Sequence, residues 1–437
     1  VIMNTSHIDE IKKTVISELL SILGKFSTCR IALIHDLYGG FKLVVWPEKE
    51  QENSLVKVIK EKLANFSKLI DMDSMWISNK NLSKLDKKVY DTVWDEGEPD
   101  VNEPRLRIVG RYRTHGGWVA PLLDPPWEKP GRQSSKEPPI LTFYSFKGGV
   151  GRTTALAAFA VQRAWIGERV AVIDADLDAP GIGSLLAADE NGTTARWGVV
   201  DYILEKKFNH IDFRDYYHAC RRENVTGAGE ILVIPAGRLD ENYLWKLSRL
   251  DIELYANNPR EHIFYRLLED VRENLKPDWI LIDVRAGLAV PAGVLAGGFA
   301  HLNVIFGTSS EQSWRGLKLI IERLGVQNIR AERSQADLIL VQAMVPRDPD
   351  LAKKSREEFT ERSRDEFTES YYAEISNDNM WGLEDIESSD APHNPVSIQY
   401  DDRLTNYRQI DDIARLLSDS EDYKTLTERI LKNFEGV

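Results

Sequence analysis

The sequence predicts an α/β fold in which a doubly wound, mostly parallel sheet is preceded by a smaller α+β domain. Short apolar runs without alternation recur from residue 140 onward, and helical patterns separate them. Strands of this kind are typical of a parallel sheet that helices cover on both faces. A proline-rich stretch sets this region apart from the first 120 residues, and 437 residues suffice for two or three domains.

The first region, residues 1–120, mixes the two periodicities. An amphipathic helix is expected where apolar residues recur every three or four positions, and strands are expected around the turn at Gly39 and Gly40. The predicted elements are a helix over 6–23, strands over 30–35 and 41–46, helices near 55–70 and 84–94, and a strand over 106–113. The residues give no indication of what this α+β module does.

Residues 121–139 contain six of the 18 prolines of the chain. Such a density of proline is typical of a linker, because proline cannot continue a helix or a central strand. We therefore expect three parts: an N-terminal α+β module over 1–120, a linker over 121–139 and a second domain over 140–437.

Buried strands and helices alternate through the second domain. The predicted strands span 140–145, 169–174, 279–283, 302–306 and 338–341, and the clearest helices span 154–165 and 313–324. Residues 421–437 form an amphipathic pattern whose acidic side chains outnumber its basic ones. Docking onto the domain is therefore favoured over binding to a membrane surface.

The composition limits the classes of partner. The formal charge is −13, and residues 351–437 carry most of it, with 11 basic and 21 acidic side chains. A general nucleic-acid coat protein needs concentrated Lys and Arg, so the composition gives no strong indication of nucleic-acid or membrane binding. The two cysteines, Cys29 and Cys220, form neither a disulfide framework nor a zinc spacing, which favours a reducing, cytoplasmic setting.

The most informative segment is Ser145-Phe-Lys-Gly-Gly-Val-Gly-Arg-Thr-Thr154. A strand that ends in glycines and opens a helix presents backbone N–H groups at a helix N-terminus, where a phosphate is favoured. Relative to the P-loop template G-x-x-x-x-G-K-[S/T], Phe146 replaces the first glycine and Arg152 replaces the lysine. The predicted nucleotide-binding residues are Lys147, Gly148, Gly149, Val150, Gly151, Arg152, Thr153 and Thr154.

This segment resembles the deviant phosphate loop K-G-G-x-G-K-[S/T] of the ParA/MinD class of ATPases, and more closely that of the KGGVGR-motif ATPases. Two further stretches strengthen the resemblance. Val172-Ile-Asp174-Ala-Asp176-Leu-Asp178-Ala-Pro180-Gly181 is similar to the second strand and switch I of the family. Asp278-Trp-Ile-Leu-Ile-Asp283-Val-Arg285-Ala-Gly287 is similar to its Walker B strand and switch II.

The spacing agrees with a shared site. Thr153 and Asp174 are 21 residues apart, which accommodates one helix, a turn and a strand. Asp174, Asp176 and Asp283 should then emerge at the carboxyl edge of the sheet, where open α/β sheets bind ligands. We expect Thr153, Asp174 and Asp283 to hold Mg²⁺ and Asp176 to position the attacking water.

The resemblance implies a P-loop ATPase that binds ATP and Mg²⁺. It implies that Lys147 reaches across a nucleotide-sandwich homodimer to the phosphates of the partner, and that Arg285 contacts nucleotide. Lys147, Arg152 and Asp176 are the expected catalytic residues, with hydrolysis slow because Arg152 replaces lysine and Val284 and Ala286 bring no hydroxyl. A partner protein and a role in prokaryotic antiphage defence are also implied.

Two alternatives stay open at this stage. One is a pseudo-ATPase scaffold or regulatory subunit that binds nucleotide as a structural ligand. The other is a partitioning or positioning ATPase that acts on DNA or on a membrane, which the acidic tail disfavours.

Overall fold

The structure is a computed structural model, and its chain divides into two compact units, Val1–Thr114 and His115–Val437. The residues that it describes are 8–35, 40–48, 50–67, 69–70, 72, 75–78, 82–110, 117–118, 124–130, 137–206, 212–250, 259–325, 337–372, 387–407 and 409–434. The division into a module over 1–120, a linker over 121–139 and a domain over 140–437 stays a prediction.

The first unit is a five-stranded mixed sheet with helices on both faces. Its elements are α1 (Ile8–Leu23), β1 (Arg30–His35), β2 (Phe41–Trp46), α2 (Glu52–Lys62), a 3₁₀ turn (Ala64–Phe66), β3 (Trp76–Ile77), α3 (Lys84–Glu96), β4 (Glu98–Pro99) and β5 (Leu106–Gly110). The strand order is β3-β2-β1-β5-β4. Helices α1 and α2 bury one face of the sheet, and α3 covers the other, where Trp46, Tyr90 and Trp94 pack together.

The second unit contains an eight-stranded sheet. Its strands are β6 (Ile140–Ser145), β7 (Arg169–Ala175), β8 (His218–Cys220), β9 (Glu230–Ile234), β10 (Trp279–Val284), β11 (Leu302–Gly307), β12 (Leu338–Val345) and β13 (Val396–Gln399). They lie in the order β13-β12-β11-β6-β10-β7-β9-β8. Only β8 runs antiparallel to its neighbour, so the other seven strands end at one edge of the sheet.

Helices cover both faces of this sheet. They are α4 (Arg152–Trp165), α5 (Ile182–Leu185), α6 (Val199–Glu205), α7 (Glu223–Thr226), α8 (Tyr243–Ser248), α9 (Ile263–Leu275), α10 (Val290–Val294), α11 (Glu311–Leu324), α12 (Pro349–Ser370), α13 (Ala414–Asp419) and α14 (Glu421–Lys432). A π-helical turn follows α10 at Leu295–Phe299, and 3₁₀ turns lie at Phe213–Asp215, Pro259–Glu261, Asp402–Leu404 and Ile410–Asp412.

The two faces have separate cores because successive strand residues point in opposite directions. Ile140, Tyr144 and Ile282 pack beneath α6, α9, α11 and α12. Leu141, Phe143 and their counterparts on the other strands pack beneath α4, α13 and α14. The continuous apolar runs of the sequence are explained by this double covering.

The predicted doubly wound, mostly parallel sheet and the smaller α+β region before it are therefore confirmed. Strand β6 spans the predicted residues, whereas β12 is longer than predicted, since it extends to Val345. Helix α14 buries Tyr423, Leu426 and Ile430 against the domain, as the amphipathic pattern indicated. In the part of the chain that the structure describes, no helix is both long and apolar enough to cross a bilayer.

Candidate nucleotide site

A cavity of about 580 Å³ opens at the carboxyl edge of the large sheet. The ends of five parallel strands and the segments that follow them line it, because the carboxyl ends of those strands meet at this edge. The lining residues are Ser145, Gly148, Gly149, Val150, Gly151, Arg152, Thr153, Thr154, Asp176, Ala179, Arg285, Ala286, Met344, Ile398, Gln399, Tyr400, Asp401, Leu404, Thr405 and Tyr423. Both the size and the position are those of a small-molecule site.

The glycine loop forms one wall of the cavity and leads into α4. Gly149 and Gly151 have φ angles of +73° and +84°, a region that side chains with a Cβ rarely adopt. A Cβ built on Gly148, Gly149 or Gly151 would meet no atom within 4 Å, so the backbone faces open space. The first N–H groups of α4 have no partner within the helix and favour an anion at this end.

Arg152 is the first residue of α4 and is buried. Its Nη2 donates a hydrogen bond of 2.9 Å to Asp176 Oδ2, and its Nε forms an ion pair of 2.6 Å with Asp283 Oδ1. The hydroxyl of Thr153 donates to the other oxygen of Asp283 at 2.7 Å. The loop, the strand β10 and the segment after β7 are thus joined through one guanidinium.

Asp174 is buried at the end of β7 and beside Asp283 on β10. It accepts hydrogen bonds from the backbone N–H groups of Asp176, Gly181 and Gly183, at 3.3, 3.2 and 3.3 Å. Burial, reinforced by the neighbouring Asp283 carboxyl, raises the pKa of Asp174 to about 8. In the structure this carboxyl organises the segment from Asp176 to Gly183 and does not line the cavity.

Burial also raises the pKa of the Asp283 carboxyl, while Arg152 and the Thr153 hydroxyl oppose that rise. The carboxyl of Asp283 is almost fully buried and is reached from the cavity side by these two residues. The two strand-end carboxyls therefore face different partners, backbone amides at Asp174 and side chains at Asp283.

The segment after β10 is tied to the segment after β7 and to β6. Arg285 forms an ion pair with Asp178, and both side chains are partly exposed. The Gly287 N–H donates to the Ser145 carbonyl at 3.0 Å, and the Tyr144 hydroxyl donates to the Gly287 carbonyl at 3.0 Å. These contacts fix the position of Arg285 and Ala286 at the cavity wall.

Helix α8 supports the segment after β7 from behind. The buried Tyr243 hydroxyl donates a 2.7 Å hydrogen bond to the carbonyl of Leu177. Leu177 lies between Asp176, which pairs with Arg152, and Asp178, which pairs with Arg285. Tyr243 belongs to none of the three motifs, so its place near the site could not be predicted from them.

The opposite wall of the cavity was not predicted. It is lined by Met344, Ile398, Tyr400, Leu404 and Tyr423, from β12, from the region around β13 and from α14. Met344 has a φ of +59°, at an irregularity in the pairing of β12 with β13.

The structure brings most of the predicted site residues together. Gly148 to Thr154, Asp176 and Arg285 line the cavity, and Asp283 contacts Thr153 and Arg152 from below. Lys147 is exposed, does not line the cavity and contacts no carboxylate among the described residues. Ser145, which was not predicted as a site residue, lines the cavity with a buried hydroxyl that has no hydrogen-bond partner among the described residues.

The side chains present fit a Mg²⁺ ion that arrives with a nucleotide. Thr153 and Asp283 offer hard oxygen atoms, which Mg²⁺ prefers, and Mg²⁺ commonly uses one or two carboxylates together with substrate phosphates. Within the described ranges, no group of three or more His, Cys, Asp or Glu side chains is arranged to hold a metal ion.

Comparisons with known proteins concern the second unit. Residues 139–327 match the family model described as an AAA domain. An uncharacterised ATP-binding protein of Methanocaldococcus jannaschii is 28% identical over 149 residues, which is 34% of this chain and 45% of that protein. The match thus spans less than half the length of that relative.

Solved structures are similar over about two thirds of the chain. A plasmid partition protein from Borrelia burgdorferi covers 68% of this chain and 99% of its own, at 17% identity and a TM-score of 0.39. The cell division ATPase MinD from Pyrococcus furiosus covers 67% of this chain and 98% of its own, also at 17% identity and a TM-score of 0.39.

Proposed function

We propose that the second unit binds ATP with Mg²⁺ in the cavity at the carboxyl edge of its sheet and hydrolyses it slowly. The observation that carries this proposal is the glycine loop from Gly148 to Gly151, whose backbone faces open space at the start of α4. Two glycines in the left-handed region and a free helix N-terminus make this loop a cradle for phosphates. The name of the Methanocaldococcus relative, an ATP-binding protein, agrees with it.

The opposite wall supports a nucleoside as the rest of the ligand. Met344 and Tyr400 are each 38% exposed, and they present apolar surface across the cavity from the phosphate loop. Such surface suits a flat base, whereas the loop suits the phosphates. We assign the base to this wall and the triphosphate to the residues from Gly148 to Thr154.

Phosphoryl transfer asks a protein mainly for positioning and for positive charge near the transferred group. Arg152 and Arg285 line the cavity and bring that charge, and Asp176 faces the same space. Mg²⁺ held by Thr153 and Asp283 would neutralise charge on the phosphates. Turnover is slow in this proposal because Asp176 is engaged by Arg152 and because Val284 and Ala286 add no hydroxyl beside Arg285.

Phosphate release tests this function directly. The wild-type chain should release phosphate from ATP in the presence of Mg²⁺, and Asp176→Asn should lower the rate at least about tenfold, which corresponds to about 1.4 kcal/mol in the barrier. Glu357→Gln, on the exposed surface of α12, is the matched control and should leave the rate unchanged. Equal rates for the wild type and Asp176→Asn would contradict the role of Asp176.

Dimerisation around nucleotide is the second part of the proposal. Lys147 supports it, because this lysine is exposed beside the phosphate loop and none of the described carboxylates holds it. Light scattering should show an ATP-dependent dimer for the wild type and a folded monomer for Lys147→Ala. Lys353→Ala, an exposed lysine of α12, should dimerise as the wild type does. A dimer that persists in Lys147→Ala would contradict this role.

The nucleotide-bound dimer would control a partner protein by presenting the first unit to it or withholding that unit from it. A role in antiphage defence rests on the resemblance of the loop to the KGGVGR-motif ATPases. Loss of protection against phage in cells that carry Gly151→Ala, with protein levels unchanged, would support that role. Equal protection by this variant would contradict it.

A pseudo-ATPase scaffold is the second candidate. The ion pair between Arg152 and Asp176 favours it, since Asp176 is not free to orient water in this arrangement. Binding of ATP without any release of phosphate would support the scaffold. A partitioning ATPase would instead show ATP-dependent, salt-sensitive shifts of plain duplex DNA.

A further inference from the structure

The Arg152 guanidinium bridges two carboxylates at the base of the cavity. Its Nη2 lies 2.9 Å from Asp176 Oδ2, and its Nε lies 2.6 Å from Asp283 Oδ1. All three residues are at most 9% exposed. Asp176 follows β7 and Asp283 lies in β10, and among the described residues Arg152 is the only side chain that joins them directly.

Two buried carboxylates that lie close together are destabilised unless a cation lies between them. Removal from water disfavours each negative charge, and the second carboxylate disfavours the first further. In the structure Arg152 supplies the positive charge. Its position between the two acids is therefore the position that a divalent cation would otherwise favour.

The shape of arginine suits this position, where the P-loop template has a lysine. A guanidinium is a planar fork that contacts two carboxylates at once, whereas a lysine ammonium is a single point of charge. Thr153, the next residue, donates to the remaining oxygen of Asp283. Both oxygens of Asp283 thus face α4, one as the acceptor of the Thr153 hydrogen bond and the other in the ion pair with Arg152.

We propose that Arg152 takes the place of a divalent cation between Asp176 and Asp283 in the nucleotide-free chain. Mg²⁺ can then reach these carboxylates only after Arg152 has left them. The site does not load metal in advance and accepts it together with nucleotide. This inference rests on the proposed function only in that Asp283 is taken to be the carboxylate near the metal.

The test uses the full chain without nucleotide. Thermal unfolding of the wild type should be unchanged, within about 1 °C, between about 10 mM MgCl₂ and KCl of equal ionic strength. Arg152→Ala should unfold at a lower temperature, and MgCl₂ should raise its midpoint by at least about 3 °C over KCl. The double variant Arg152→Ala with Asp176→Asn is the matched control, and it should lose most of this Mg²⁺ response because one carboxylate is neutral.

Arg152→Lys keeps the test decisive if Arg152→Ala fails to fold. Its ammonium can hold one carboxylate at a time, so a Mg²⁺ response smaller than that of the alanine variant is expected. The proposal is overturned if MgCl₂ raises the unfolding midpoint of the wild type as much as that of Arg152→Ala. It is also overturned if MgCl₂ raises the midpoint of no Arg152 variant. Since no nucleotide is present, either result is independent of whether the chain binds ATP.

Discussion

The ring of Phe146 lies directly against Gly316 in the middle of helix α11. A Cβ on Gly316 would come within 2.0 Å of the Phe146 Cγ, so no larger residue fits there without moving the ring. Phe146 stands where the P-loop template has its first glycine. The contact holds the start of the phosphate loop against a helix of the core.

Gly316→Ala is therefore expected to displace Phe146 and to destabilise the chain by about 1–3 kcal/mol, as overpacking does. Urea unfolding measures the change, and nucleotide affinity should fall with it because the loop begins at this ring. Adding Phe146→Ala to Gly316→Ala should restore part of the stability. A Gly316→Ala chain as stable as the wild type would refute the contact.

Alanine substitutions at Gly151 and Gly148 distinguish the effect of backbone strain from the effect of lost space in the phosphate loop. Gly151→Ala should lower the free energy of unfolding by about 1–2 kcal/mol, since its φ is +84°. Gly148 lacks a left-handed φ and also faces open space, so Gly148→Ala should change stability by less than about 0.5 kcal/mol. Both should weaken nucleotide binding. Equal stabilities of the two variants would show that strain at Gly151 is unimportant.

Tyr243→Phe removes the hydroxyl that holds the Leu177 carbonyl. The expected loss of stability is about 1 kcal/mol, typical of one hydrogen bond, with the fold retained. We expect a lower turnover rate at saturating ATP, because Asp176 and Asp178 flank Leu177. Trp245→Ala, an exposed position of the same helix, is the control and should leave turnover unchanged. Unchanged turnover in Tyr243→Phe would show that the Tyr243 hydroxyl does not support the site.

Much of the fold could be predicted because buried parallel strands have a distinctive pattern. The apolar runs at 140–145 and 279–283, each ending at a polar residue or a glycine loop, fixed which residues meet at the carboxyl edge. The three motifs on this edge were predictable for the same reason. Their convergence on one cavity follows from strand order, which places β10 between β6 and β7.

The opposite wall of the cavity could not be predicted from local pattern. Met344 lies 54 residues before Ile398 in the chain, and the pairing of β12 with β13 brings it close to Ile398 and Leu404. The pairing of Arg152 with Asp176 and Asp283 was equally hidden, because the P-loop template directs attention to phosphate and gives no partner for an arginine. Long-range contacts of this kind carry no sequence periodicity.

We expect the free energy of unfolding to fall at acidic pH because of the buried His301. It is buried, its Nδ1 accepts the Ile140 N–H at 2.9 Å and its Nε2 lies 2.8 Å from the Trp127 carbonyl. Burial lowers the pKa of His301 to about 4, below the ordinary value of 6.5, so the unfolded chain binds the proton first. The contribution of His301 is complete above pH 6.5 and is lost as the pH falls toward 4, by about 3 kcal/mol.

Unfolding of His301→Asn as a function of pH checks this. The variant should be less stable than the wild type at pH 7, and its stability should decline less between pH 6.5 and 4. The buried His262, whose pKa is also lowered to about 4, remains in both proteins and cancels in the comparison. Identical pH profiles would rule out His301 as the source.

Isothermal titration of the full chain with ATP and Mg²⁺ examines the phosphate cradle most directly. We expect saturable heat with one nucleotide for each chain, and its loss in Gly151→Ala under conditions where that variant is folded. If neither ATP nor GTP produced heat at concentrations up to about 1 mM, the weakest affinity that a functional nucleotide site would need, the cavity would not be a nucleotide site.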